Sequence, residues 1–84
     1  MKVTVRYFAS LREALGDRQE LTDLAVGATV GDLRRHLCAA SQAHATALAS
    51  GRAVRCALNQ VMVDESAVVP DAAEVAFFPP VTGG

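Results

Sequence analysis

Hydrophobic and polar positions alternate cleanly over residues 2–8. Val3, Val5 and Tyr7 share one face, and Lys2, Thr4, Arg6 and Phe8 the other. That period of two predicts a half-buried strand. Ser10 followed three residues later by Glu13 is a capping-box pattern, and it predicts a short helix closed by Gly16. Residues 18–26 read as a second strand with Leu21 and Leu24 facing inward. Thr29 is a good N-cap, and Asp32 favours the positive end of a helix dipole. Val30, Leu33, Leu37 and Ala40 then recur at helical spacing and make one apolar stripe. Arg34, Arg35 and His36 fall off that stripe, which predicts a solvated helix face that also exposes His36.

The alanine-rich stretch 41–51 predicts a second short helix anchored by Leu48, with His44 facing solvent. Alternation returns over residues 52–58, where Ala53, Arg55 and Ala57 oppose Val54, Cys56 and Leu58. Asn59-Gln60 predicts a hairpin turn, and residues 61–63 form its return strand. The last strand runs over residues 74–78, with Val75 and Phe77 inward and Phe78 outward. Pro79-Pro80 closes it. The prolines lack N–H donors and fix φ, so the sheet ladder stops there. The order is strand, short helix, strand, helix, short helix and three strands. Strands gathered around one principal helix predict an α+β domain with that helix on one face of a mixed sheet. The opening order matches the β-grasp, or ubiquitin-like, fold, in which the first and last strands lie side by side at the centre. One domain over 1–80 and a tail over 81–84 account for the chain.

Composition removes several function classes. With 84 residues there is room for one domain. A hydrophobic share of 51% argues against disorder. A net charge of −1 leaves no surplus to neutralise phosphates, so no nucleic-acid partner is expected. No apolar run approaches the ~18–20 residues that span a bilayer, and the N-terminus carries no secretory pattern. A cytoplasmic protein with reduced thiols and no membrane partner is expected. Cys38 and Cys56 fit no metal spacing and read as small buried hydrophobes, so no metal is expected. The serines lack a His/Asp pattern and the glycines form no phosphate loop. The nine carboxylates are spread along the chain. The domain by itself is not expected to run a reaction.

The tail carries the candidate chemistry. The five residues after Pro79 reach about 17 Å when extended. Gly83 and Gly84 have no side chains, so they pass a narrow channel and leave the final carbonyl open to attack. A carboxylate is inert until it is made into an acyl adenylate. A sulfur nucleophile then converts it to a thiocarboxylate, a compact sulfur donor. An ordinary loose terminus is the competing reading of the same residues.

The stretch Glu74-Val75-Ala76-Phe77-Phe78-Pro79-Pro80-Val81-Thr82-Gly83-Gly84 resembles the C-terminal signature of the molybdopterin synthase small-subunit family, which are ubiquitin-like sulfur carriers. Residues 5–13 are similar to that family's first strand and short helix, and Ala57-Leu58-Asn59-Gln60 to its third-strand segment. One departure is visible: Ala72-Ala73 stands where family members commonly carry Gly-Asp, which affects the turn before the last strand. The resemblance implies that an activating enzyme adenylates Gly84 with ATP and that a sulfur donor protein supplies the sulfur. It also implies that Val81, Thr82 and Gly83 insert into the synthase large subunit, in a heterotetramer. The acceptor would be cyclic pyranopterin monophosphate. No cofactor is expected on the chain itself. Phe8, Leu11, Arg12, Phe78, Pro79 and Pro80 are expected to dock partners, because paired exposed aromatics beside an arginine make an interface patch. Two other roles stay open: sulfur carriage for thiamine or tRNA thiolation, and conjugation to proteins through Gly84.

Overall fold

The computed structural model describes residues 1–49 and 51–79. Eight elements follow in the expected order: β1 (Val3–Tyr7), α1 (Ala9–Leu15), β2 (Arg18–Leu21), α2 (Val30–Ala40), α3 (Gln42–Ala47), β3 (Arg55–Leu58), β4 (Val61–Val63) and β5 (Ala73–Phe78). The strands form one mixed sheet in the order β2-β1-β5-β3-β4. β1 and β5 pair in parallel at its centre, with Val5 beside Val75 and Tyr7 beside Phe77. The other pairings are antiparallel. This is the β-grasp architecture.

Alternation decides which face is packed. Val3, Val5, Tyr7, Val75 and Phe77 are wholly buried, as are Val30, Leu33, Leu37 and Leu48 from the helical side. Each such side chain contributes roughly 1.5–3 kcal/mol by leaving water. α2 is set in place by a complete capping box. The Thr29 hydroxyl accepts from the Asp32 amide at 3.1 Å, and the Asp32 carboxylate accepts from the Thr29 amide at 2.9 Å. The Thr29 backbone bond, followed by the Arg35 side chain, holds the Asp32 carboxyl below its ordinary value. The β3–β4 hairpin turns through Asn59 and Gln60, both at positive φ (49° and 70°), the geometry of a type I′ turn.

Five local expectations are corrected. The first helix starts at Ala9 with Phe8 in the N-cap position and no side-chain cap, so Ser10 and Glu13 form no capping box. Phe8 is held there by the sheet, its amide bonded to the Phe77 carbonyl at 3.1 Å. β2 ends at Leu21 rather than at residue 26. Leu24 is buried, but it sits on the connection to α2. β3 begins at Arg55, three residues later than the alternation suggested.

The fourth correction is the largest. Arg34 is buried, not solvated. Its Nε donates to the Leu48 carbonyl at 2.7 Å. Its Nη2 donates to the Ala49 and Arg52 carbonyls at 2.6 and 2.8 Å, and its Nη1 meets Glu65 at 2.6 Å. One guanidinium thereby satisfies three carbonyls of the irregular segment after α3. A helical wheel cannot show this, because the partners come from a distant loop. His44 is also half-buried. Its Nε2 lies 2.9 Å from Gln19 Oε1, which accepts from the Tyr7 hydroxyl at 2.8 Å, and its ring meets Tyr7 edge-on. Burial pushes the Tyr7 hydroxyl up and the His44 imidazole down.

Candidate docking face and tail exit

The parallel β1–β5 pair brings the two ends of the chain's signature together. Because Tyr7 lies beside Phe77, the next residues, Phe8 and Phe78, emerge side by side at the same end of the sheet. Their rings meet edge-to-face, with centroids 6.2 Å apart at 84°. Phe8 is 38% exposed and Phe78 is half-buried. The Arg6 guanidinium carbon stands 5.2 Å above the Phe8 ring, a cation–π arrangement. Arg6 and Arg12 both approach Asp17, at 3.9 and 3.7 Å. Arg12 is well exposed. Arg6 Nε is buried without a hydrogen-bond partner among the described residues.

Register extends this patch across the sheet. Arg6 lies beside Ala76, Ala76 beside Ala57, and Ala57 beside Met62. Arg55 lies beside Phe78. The face opposite α2 therefore carries Ala76 and Ala57, both buried, between Arg6, Phe78, Arg55 and Met62. Met62 is exposed at its far end.

Of the residues expected to dock partners, Phe8, Arg12, Phe78 and Pro79 gather at this end of the sheet. Leu11 does not join them: it is buried within the core. It points inward because α1 begins at Ala9 and so turns Leu11 onto the sheet. Pro80, Val81, Thr82, Gly83 and Gly84 lie outside the described residues. Arg6, Arg55 and Met62 were not singled out from sequence. The alternation of residues 2–8 and 52–58 already put Arg6 and Arg55 on solvent faces, but only cross-strand register shows that those faces coincide.

No group of three or more His, Cys, Asp or Glu side chains among the described residues is placed to hold a metal ion. Cys38 and Cys56 are free thiols. Each points at a backbone carbonyl, Leu48 and Val63 respectively, both at 3.3 Å. Burial, with Glu65 and Asp64 nearby, pushes the Cys56 thiol up, away from the reactive thiolate. No helix is long and apolar enough to cross a membrane among the described residues.

The sheet order, the helices packed on it with α2 the longest, and the exit of β5 beside β1 define a ubiquitin-like β-grasp protein. Within that class, residues 5–84 match the ThiS family, and the chain belongs to it. It is 42% identical to the molybdopterin synthase sulfur carrier subunit of Escherichia coli, over 98% of this chain and 99% of that one. The crystal structure of small archaeal modifier protein 1 from Haloferax volcanii superposes with a TM-score of 0.75 at 27% identity, covering 95% of this chain and 98% of that one. The complex of subunits 1 and 2 of the molybdopterin-converting factor from Helicobacter pylori contains a chain of the same fold. Its TM-score is 0.66 at 24% identity, with both chains fully covered.

Proposed function

We propose that this chain is the sulfur-carrying small subunit of a molybdopterin synthase, with Gly84 as its reacting residue. The observation that carries the reading is the near full-length likeness to the Escherichia coli sulfur carrier subunit. The route of β5 supports it, because a central strand delivers Pro79 to the end of the sheet where Phe8 and Phe78 meet.

The chemistry follows from a terminal carboxylate. One carboxylate oxygen of Gly84 attacks the α-phosphorus of ATP on an activating enzyme, releasing pyrophosphate. Hydrosulfide, supplied by a donor protein, then attacks the carbonyl carbon of the acyl adenylate, and the carbon–oxygen bond to the phosphate breaks. AMP leaves and the oxygen is exchanged for sulfur. The thiocarboxylate delivers its sulfur to cyclic pyranopterin monophosphate inside a large subunit, whose groups supply the catalysis. Rigid Pro79-Pro80 and side-chain-free Gly83-Gly84 suit insertion into a narrow channel. The large subunit would seat on the Phe8/Phe78 patch. The assembly expected is a heterotetramer joined through the large subunits.

Intact mass of the chain after incubation with ATP, an activating enzyme and sulfide tests this. A gain equal to replacing one oxygen by sulfur is expected, and none in a chain lacking Gly84. No gain with several competent activating enzymes overturns the reading. The likeness to an archaeal modifier favours a second reading, conjugation through Gly84. That reading expects a ladder of larger conjugates in cells and no loss of molybdoenzyme activity when the gene is removed.

A further inference from the structure

A groove of about 600 Å³ opens between α1 and α3, beside the end of the sheet and separate from the arginine-flanked face. Leu11 and Ala14 of α1, Ala47 of α3 and Val54 give it an apolar lining. Arg52 is the one charged side chain that lines it among the described residues, and Pro79 stands at its rim.

We propose that this groove is a resting site for the chain's own C-terminal segment, residues 80–84, with the Gly84 carboxylate drawn to Arg52. Register supports the direction. Arg55 pairs with Phe78 in antiparallel sense, and the residues that flank this pair, Val54 before Arg55 and Pro79 after Phe78, both line the groove. Ala53 and Arg52 line it as well. Length supports it too: five residues reach about 17 Å, ample within a cavity that Pro79 and Arg52 share. The chemistry is complementary. Pro80 and Val81 match the apolar wall, and a terminal carboxylate, with an ordinary pKa of about 3.3–3.7, is charged at neutral pH.

Arg52 is well prepared for this. Its backbone is pinned on both sides, the amide to the Ala49 carbonyl and the carbonyl to Arg34 Nη2, both at 2.8 Å. Its guanidinium makes one long contact among the described residues, Nη1 to the Thr46 carbonyl at 3.4 Å. The groove does not need high affinity. A short tether presents the segment at an effective concentration on the order of millimolar. A tail held there is withheld from other proteins until a partner displaces it. The inference concerns the unmodified chain and does not depend on the sulfur-carrier reading.

Amide and methyl NMR spectra of the full chain and of a chain ending at Pro79 test it, each with Arg52 intact and with Arg52→Gln. Removing residues 80–84 should move the signals of Ala14, Ala47 and Val54 and leave Val61 and Val63 in place. Arg52→Gln should move the same signals in the full chain but add little in the shortened one, because the two changes remove one interaction. The full-chain shifts should also shrink in 1 M salt, where screening acts within about 3 Å. Shifts confined to residues next to the truncation overturn the proposal, as do additive effects of the two changes. Shifts that grow with protein concentration also overturn it, placing the tail in the groove of a second copy. If the shortened chain fails to fold, the salt dependence and the Arg52→Gln shifts in the full chain decide. Groove signals that ignore both overturn the proposal. A thiocarboxylate assay reports separately on the chemistry of Gly84.

Discussion

The two faces of the sheet are built from neighbouring residues of the same strands, yet they are opposite in character. Toward α2, Val3, Val5, Tyr7, Val75 and Phe77 leave no surface exposed. Away from it, Phe8 is exposed, Arg6 and Phe78 are half-buried, only the small Ala76 between them is buried, and Arg6 lies over the Phe8 ring. Phe77 and Phe78 make the contrast sharpest. They are adjacent and chemically identical, and the strand's period of two assigns one to the core and the other to the surface. Burial alone therefore separates the residues that hold the domain together from those available to a partner.

That contrast can be broken at Phe77. Phe77→Ala should cost about 3–5 kcal/mol, a large share of the ~5–15 kcal/mol that holds a domain together. Phe78→Asp should cost under about 1 kcal/mol while abolishing partner association. Urea unfolding beside a pull-down with the large subunit reads both. Equal destabilisation by the two changes would erase the distinction between the faces.

Arg34 tests whether a polar group can belong to the packed side. Arg34→Met keeps the bulk but leaves the Leu48, Ala49 and Arg52 carbonyls without their donor. A loss of about 2–3 kcal/mol is expected, with faster hydrogen exchange over residues 48–52. A stability unchanged by this substitution would reduce Arg34 to a surface residue.

Ala72 sits at φ 63° in the turn that feeds β5, where a Cβ is strained. Ala72→Gly should stabilise the domain by about 0.5–1 kcal/mol, read as a higher urea midpoint with the slope unchanged.

The smallest effect is a pH dependence from His44. Burial holds its imidazole below the ordinary value of 6.5, so the unfolded chain takes up a proton first. Stability is full above pH 6.5 and falls as the pH drops below it, until folded His44 is protonated as well. His44→Gln should flatten the urea midpoint over that window. Asp32 and Asp64, both held below 3.8, act only at more acid pH and leave their own decline intact.

The existence and order of all eight elements were legible: alternation gave β1, β3, β5 and the inward faces of β1 and β5, helical spacing gave α2, and turn and composition cues gave the rest, α1 through a capping box that does not form. These are local properties, set by which side chains repeat at a period of two or near 3.6. The outward placement of Phe8 and Phe78, proposed to meet a partner, was legible for the same reason: they occupy the outward phase of their strands. What failed depended on partners remote in sequence. The Ser10 capping box lost to the sheet bond from the Phe8 amide to Phe77, and Leu11 went to the core with it. Arg34 looked solvated until Leu48, Ala49, Arg52 and Glu65 closed around it.

The chain's pattern thus determined that there would be strands, one principal helix and an aromatic pair facing away from it. Tertiary structure alone decided that Phe8 and Phe78 touch, that Arg6 lies over them, and that Arg52 and Pro79 share one groove. The reason is physical. Periodicity assigns each side chain to a face of its own element, whereas contact between elements depends on the register of strands far apart in sequence. That register is chosen by the packing of the whole core.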